Sequence, residues 1–492
     1  MEYLLSLLPV ILVLIGIVVL KKSARNTALL TMIFTIILAC FKFQVTGDMV
    51  FADIKSGIIN ALYIAAIIFG AFSLLNLMKI SGALNVINNT LLKITNDKRV
   101  LIIIVAFGFG AFLEGAAGGG SPAAIVTPFL VGLGFEPMLS IVAALLCNGM
   151  FAAFGGAGNP VVSGVAPIAS DLSVTLASKA SGMILPIIGL VFPFILIYTL
   201  YGKNGFKNLG KYLAITGIVY SLTMYLISNY IGPELVALMC GVFIMLSSLA
   251  YVKLIGIDTP DEFKYEYSRK TNIEEKYSFF QASSPYLLLL ILLPAARFLI
   301  PMKILARFGY GTWVGTVIFI CASIGTLILR QGHNFKTIVL EALKGVIPAF
   351  ITMVSLLIIA NTMKSAGMIL TIATGLSHTG AFYPFIAVLI GSLGSFMTGT
   401  AAGANIMFAP LHLQTSQLLN LNIAVLFGAN NTGSSLGNAI CPNNIVAVST
   451  VVGMKNSEGK ILNRVLKGWV LLVFIGGLLA ILINSYSTTL GL

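Results

Sequence analysis

A chain of 492 residues in which 58% are hydrophobic and 9% charged is not a soluble globule, where about a quarter of residues are normally charged. The net charge of +13 does not indicate a nucleic-acid partner, because Lys and Arg fall in short clusters between apolar runs rather than along one face. That pattern is expected of an all-α polytopic membrane protein with positively charged cytoplasmic loops.

The first apolar run, 3–20, is followed by Lys21, Lys22 and Arg25 rather than by small residues. It reads as a retained span with its N-terminus outside, not a cleaved signal peptide. Stretches long enough to cross a bilayer, roughly 17–25 residues, follow near 27–45, 57–78, 137–170, 179–201, 211–230, 233–256, 284–301, 311–329, 337–363, 417–452 and 465–487. The prediction is therefore about twelve transmembrane helices, with two further apolar stretches, 99–136 and 380–415, to be placed.

Charge places them. With Lys21 to Arg25 in the cytoplasm, Lys79, Lys93, Lys98 and Arg99 are cytoplasmic as well, and so are Lys203, Lys207 and Lys211. The spans 137–170 and 179–201 already join those two clusters, so 99–136 has to enter and leave on one side as a re-entrant hairpin. A helical rise from Arg99 carries Glu114 about 22 Å in, past the middle of a core ~30 Å thick. The same reasoning gives N-terminal helices in 1–45, a first half in 46–256 with its hairpin 99–136, and a cytoplasmic linker in 257–283. A second half, 284–492, holds the hairpin 380–415, and both termini lie outside the cytoplasm.

The halves repeat. Met78-Lys79-Ile80-Ser81-Gly82 recurs as Met363-Lys364-Ser365-Ala366-Gly367, and Gly110 to Gly115 recurs as Gly394 to Gly399. Asn148, Gly155 and Pro160 recur as Asn430, Gly437 and Pro442, and every offset lies between 282 and 288. In the charge-derived topology the two copies run in opposite senses. The expected architecture is thus two inverted repeats with broken helices, which places a transported ligand near the membrane midplane where the copies meet.

Within each copy the apolar run is interrupted twice. Gly118, Gly119, Gly120 and Ser121 precede Pro122 at the hairpin tip, with Thr400 to Asn405 as the tip of the second copy; Gly155 to Asn159 precede Pro160, as Gly437 to Cys441 precede Pro442. A glycine run is too dense for a helix interior, and Ser followed by Pro suits a helix start. Four helix N-termini near mid-membrane form an anion site without any Lys or Arg, better suited to a small carboxylate than to a phosphate ester. Glu114 is the one acid placed deep in the membrane and is the candidate proton carrier; its alternative role is to cap amides at the hairpin tip. Asn148, Asn159, Thr398, Asn405, Asn430, Asn431 and Thr432 are candidate substrate-binding residues, with interhelical hydrogen bonding as their alternative role. The cysteines (Cys40, Cys147, Cys240, Cys321, Cys441) and histidines (His333, His378, His412) are scattered, and no phosphate-binding loop occurs. No metal, cofactor or catalytic constellation is therefore expected.

The segment FLEGAAGGGSPAAI, with LVGLGFEP behind it, resembles the lactate permease family, and so do GSFMTGTAAGANIMF and the run from Ala429 to Ser434 with Cys441-Pro442. Gly119, Ser121 and the run Cys147 to Met150 depart from the family pattern. The resemblance implies proton-coupled symport of L-lactate or a similar 2-hydroxy monocarboxylate, such as glycolate or D-lactate, across a bacterial-type inner membrane. It puts Glu114 and both hairpin tips at the transport site. A sodium-coupled carrier of another carboxylate, such as a dicarboxylate, is the second reading, because hairpin carbonyls and Asn or Ser side chains can build a sodium site.

Overall fold

The apolar runs fold as helices, which satisfy their own backbone groups in a medium that offers no hydrogen bonds. In a computed structural model the described residues are 2–16, 20, 23–92, 95–118, 121–264, 277–300, 310–454 and 457–492. Lys21, Lys22, Lys93, Gly119 and Gly120 lie outside them, as does the middle of the expected linker. Among the described residues the chain is all-helical apart from turns and one isolated bridge, Asp97 with Lys264.

Nine of the described helices are long and apolar enough to cross a membrane, or ten if one bent pair counts as a span. The expected count is larger because Glu2–Val13, Phe279–Leu293 and Thr312–Ile328 are shorter apolar helices. The bent pair is the stretch expected as the single span 137–170: Pro137–Gly149 and Ala152–Ile168 meet at 50°. The stretch 417–452 is likewise two helices, Ile423–Asn438 and Pro442–Val451. The second interruption falls just before Pro442; in the first half the bend at Met150 and Phe151 is followed by a separate kink at Gly156 to Gly158, just before Pro160.

The element order runs twice through the chain. Gly47–Ser81 and Ala83–Leu92, joined at Gly82, recur as Phe335–Ser365 and Met368–Ser377, joined at Gly367. The helix pair Gly110–Ala117 and Ser121–Gly132 has its counterpart in Tyr383–Thr398 and Ala401–Leu419, and Val174–Tyr201 has its counterpart in Glu458–Ser485. Side-chain caps fix several starts: Thr46 accepts from Met49, Ser173 from Leu176 and Asn422 from Ala424.

Gly47–Ser81 and Phe335–Ser365 pack along each other, and Ala401–Leu419 packs on Gly155–Val165. Small residues permit the closest approaches. A Cβ at Gly433 would run into the Val388 carbonyl, and one at Gly437 into that of Ser392, which seats Ile423–Asn438 directly on Tyr383–Thr398. The arm Lys98–Ala116 is wholly buried, so the helix that carries Glu114 is walled by protein. Part of that arm, Ile103–Phe109, is a π-helix.

At the base of the arm Arg99 carries its charge inside the protein. It is fully buried, bonding Asp97 Oδ1 (3.0 Å) and Oδ2 (2.6 Å) and the carbonyls of Gly205 (3.0 Å) and Lys207 (2.8 Å). Its guanidinium stacks 4.2 Å from the Phe263 ring centroid. One residue thereby fastens the hairpin base to the 202–207 turn and to the start of the linker.

Candidate functional site

Glu114 lies near the end of the helix Gly110–Ala117, which stops at Gly118 with φ 65°. A Cβ on Gly118 would meet the backbone of Gly156, and one on Gly155 would overlap the Glu114 carboxylate. The hairpin tip thus seats backbone to backbone on the second break, with the acid's head beside Gly155. In that break Gly156, Ala157 and Gly158 all have positive φ. The two glycines adopt it freely, whereas Ala157 carries a strain of about 1–2 kcal/mol, which restarts the helix at Pro160 in a new direction.

A cavity of about 200 Å³ opens at this junction. The first copy supplies Glu114, Gly118, Ala152, Gly155, Gly156, Asn159 and Pro160; the second supplies Thr400, Ala401, Ala402 and Asn438. The long helices close it with an apolar wall of Ile68, Ala71, Phe72, Ala349 and Met353. Glu114 is 1% exposed, and its Oε2 has no hydrogen-bond partner among the described residues. Asn159 Oδ1 is unpartnered in the same sense. Thr400 caps Ala401–Leu419 by accepting from Gly403 N (3.0 Å), so a helix N-terminus faces the cavity. No Lys, Arg or His is among the described lining residues.

The other candidates take different places. Asn405, Asn430 and Asn431 are fully buried and satisfy one another away from the cavity wall. Asn405 Nδ2 donates to the Pro160 carbonyl (2.9 Å) and to Asn431 Oδ1 (2.7 Å), while its Oδ1 accepts from Asn430 Nδ2 (2.9 Å) and Ser434 Oγ (3.2 Å). Asn431 Nδ2 donates to Ser181 Oγ (2.9 Å). His412 extends the chain: its Nε2 lies 2.9 Å from Asn430 Oδ1 and its Nδ1 3.0 Å from Tyr383 OH. An amide oxygen only accepts, so Nε2 carries the hydrogen and Nδ1 accepts from the tyrosine. Asn148 Nδ2 donates to Asn438 Oδ1 (3.2 Å), which also accepts from Asn444 Nδ2 (2.7 Å), so Asn148 reaches the cavity only through Asn438.

Thr398 donates back to Gly394 O and onward to Thr400 O, holding the second tip in shape. Thr432 is buried with its hydroxyl unpartnered among the described residues and off the cavity wall. Ser121 begins the helix Ser121–Gly132. Glu234, placed by the sequence at a span end, is 3% exposed, so Glu114 is not alone among buried acids. Sequence reasoning passed over Asn438 although it sits in the Gly437 to Pro442 break; Phe72 and Met353 carried no signal.

The family model for L-lactate permease matches residues 2–309 and 300–486. Over 97% of this chain and 95% of the relative, the sequence is 28% identical to the glycolate permease GlcA of Escherichia coli K12. It is 30% identical to the L-lactate permease of Streptococcus iniae over 86% of this chain and 92% of that protein, and 28% identical to that of Halalkalibacterium halodurans over 95% and 94%. The crystal structure of the YdaH transporter of Alcanivorax borkumensis superposes with a TM-score of 0.57 at 15% identity, covering 95% of this chain and all of the other, a likeness of fold.

Proposed function

The chain belongs to the L-lactate permease family, and on that premise we propose that it is a secondary carrier that takes up lactate, glycolate or a similar 2-hydroxy monocarboxylate together with a proton. The observation that carries the coupling is the charge inventory of the cavity. Its titratable lining residue is an acid, Glu114, and no cation among the described residues offsets it. In a cavity of about 200 Å³, roughly 7 Å across, two carboxylates at an effective dielectric of ~20 repel by about 2–4 kcal/mol. Substrate therefore binds well only when Glu114 holds a proton, and by linkage a bound anion favours that proton.

In its neutral form Glu114 donates to the substrate carboxylate. The amides at the start of Ala401–Leu419 and the Asn159 and Asn438 side chains serve the remaining oxygens and the 2-hydroxyl. Gly118, Gly119, Gly120 and Ser121 stay among the substrate-binding candidates. The wall of Ile68, Phe72 and Met353 takes the methyl group of lactate. Proton and anion then cross as a neutral pair while the two copies, inverted relative to each other, alternate access to the cavity. The positive clusters face the cytoplasm.

The test is uptake of labelled L-lactate into membrane vesicles under an imposed inward proton gradient. Accumulation that follows the gradient, collapses with a protonophore and ignores sodium is expected. Uptake that requires a sodium gradient and is indifferent to pH would overturn the proton assignment.

A further inference from the structure

Far from the cavity in sequence, Glu458–Ser485 lies against Val174–Tyr201, and a groove of about 800 Å³, lined also by Gly202 and Phe206, runs between them. Lys460, Arg464 and Lys467 line it. Their spacing of four and three residues puts all of them on one helix face. No Asp or Glu is among the described lining residues, and none of the three forms an ion pair among the described residues. Arg464 makes one long contact, Nη2 to the Leu200 carbonyl at 3.5 Å, which leaves the rest of its fork open.

One turn further along the same helix the character changes. Gly468 opens the floor, and Leu471 faces Phe194, Ile195 and Tyr198 of the neighbouring helix. The groove is thus cationic at one end and apolar at the other, and it lies on two membrane-spanning helices. A soluble anion would use only the first end; a membrane lipid with a phosphate and acyl chains matches both.

We infer that this groove binds an anionic phospholipid, its phosphate among Lys460, Arg464 and Lys467 and its acyl chains over Leu471, Ile195 and Tyr198. Arg464 supplies the bidentate contact and the lysines supply point charges. A lipid seated there bridges Glu458–Ser485 to Val174–Tyr201, elements that hold corresponding places in the two halves of the chain. The inference rests on the membrane placement of the chain, not on which carboxylate it carries.

The full-length protein, stripped of lipid in a neutral detergent and free of substrate, is titrated with phosphatidylglycerol, phosphatidylcholine or soluble glycerol 3-phosphate, and thermal unfolding is followed. Phosphatidylglycerol alone is expected to raise the unfolding temperature. Each cation near an anionic headgroup contributes roughly a factor of 5 in affinity, so K460Q/R464Q/K467Q should weaken binding about 100-fold. The charge-preserving K460R/K467R should bind as wild type does. If the triple variant is not recovered folded, Arg464→Gln and Lys467→Gln are each expected to lose about 5-fold. An unchanged affinity in the charge-removed variants, an equal shift with phosphatidylcholine, or a full shift with glycerol 3-phosphate would overturn the lipid site. Because the readout contains no lactate, normal lipid binding beside failed uptake would count against the transport reading alone.

Discussion

Replacing Asn405 by alanine separates a structural clamp from a substrate ligand. Asn405 is fully buried and makes four hydrogen bonds, two of which reach Pro160 and Asn431 and two of which come from Asn430 and Ser434. Interhelical bonds in membranes average ~0.6 kcal/mol each, which sets a lower figure of about 2.4 kcal/mol. Leaving buried polar groups unsatisfied costs about 1–3 kcal/mol apiece, so with partial rearrangement the loss should be about 3–5 kcal/mol. Equilibrium unfolding of the purified protein in mixed detergent–SDS micelles reads this directly. In the folded fraction, reconstituted into vesicles, the KM for lactate should change by less than about threefold, under 0.7 kcal/mol. Wild-type stability combined with a KM raised tenfold or more would refute the reasoning and return Asn405 to the binding site.

Other expectations follow from the same geometry. Gly155 has ordinary extended dihedrals, φ −65° and ψ 157°, so Gly155→Ala strains no backbone, yet its Cβ would displace the Glu114 carboxylate. Lactate uptake should fall about tenfold while stability drops by no more than about 1–3 kcal/mol; unaltered uptake would separate Gly155 from the site. Arg99→Gln leaves Asp97 buried and unpaired, and should cost about 3–5 kcal/mol in the same unfolding assay. A loss below about 1 kcal/mol would show that the hairpin base holds without the guanidinium.

Much of this arrangement was legible in the sequence because membrane depth punishes irregular backbone, and the small-residue runs before Pro122, Pro160 and Pro442 each mark a break. Gly118, the 155–160 stretch and the 437–442 stretch all fall where they were expected. The sorting of the asparagines was not legible. Asn430 and Ser434 are one helical turn apart and face Asn405 together, whereas Asn438, eight residues beyond Asn430, is rotated by about 80° and reaches the cavity. Nothing in the residue types distinguishes them; only the docking of Ile423–Asn438 on its neighbours does. Phe72 and Met353 are apolar residues in apolar helices, so their place on the wall depends wholly on how Gly47–Ser81 and Phe335–Ser365 pack. The burial of Arg99 was not legible either, because only the folded turn at 202–207 provides the carbonyls that accept from it.

The most direct test of proton coupling is Glu114→Gln in reconstituted vesicles, with exchange and accumulation measured side by side. Glutamine keeps a neutral donor at the cavity but cannot load or release a proton. Exchange of labelled for unlabelled lactate should persist and lose its dependence on pH, while accumulation driven by a proton gradient disappears. Gradient-driven accumulation by the glutamine variant at the wild-type level would contradict the account.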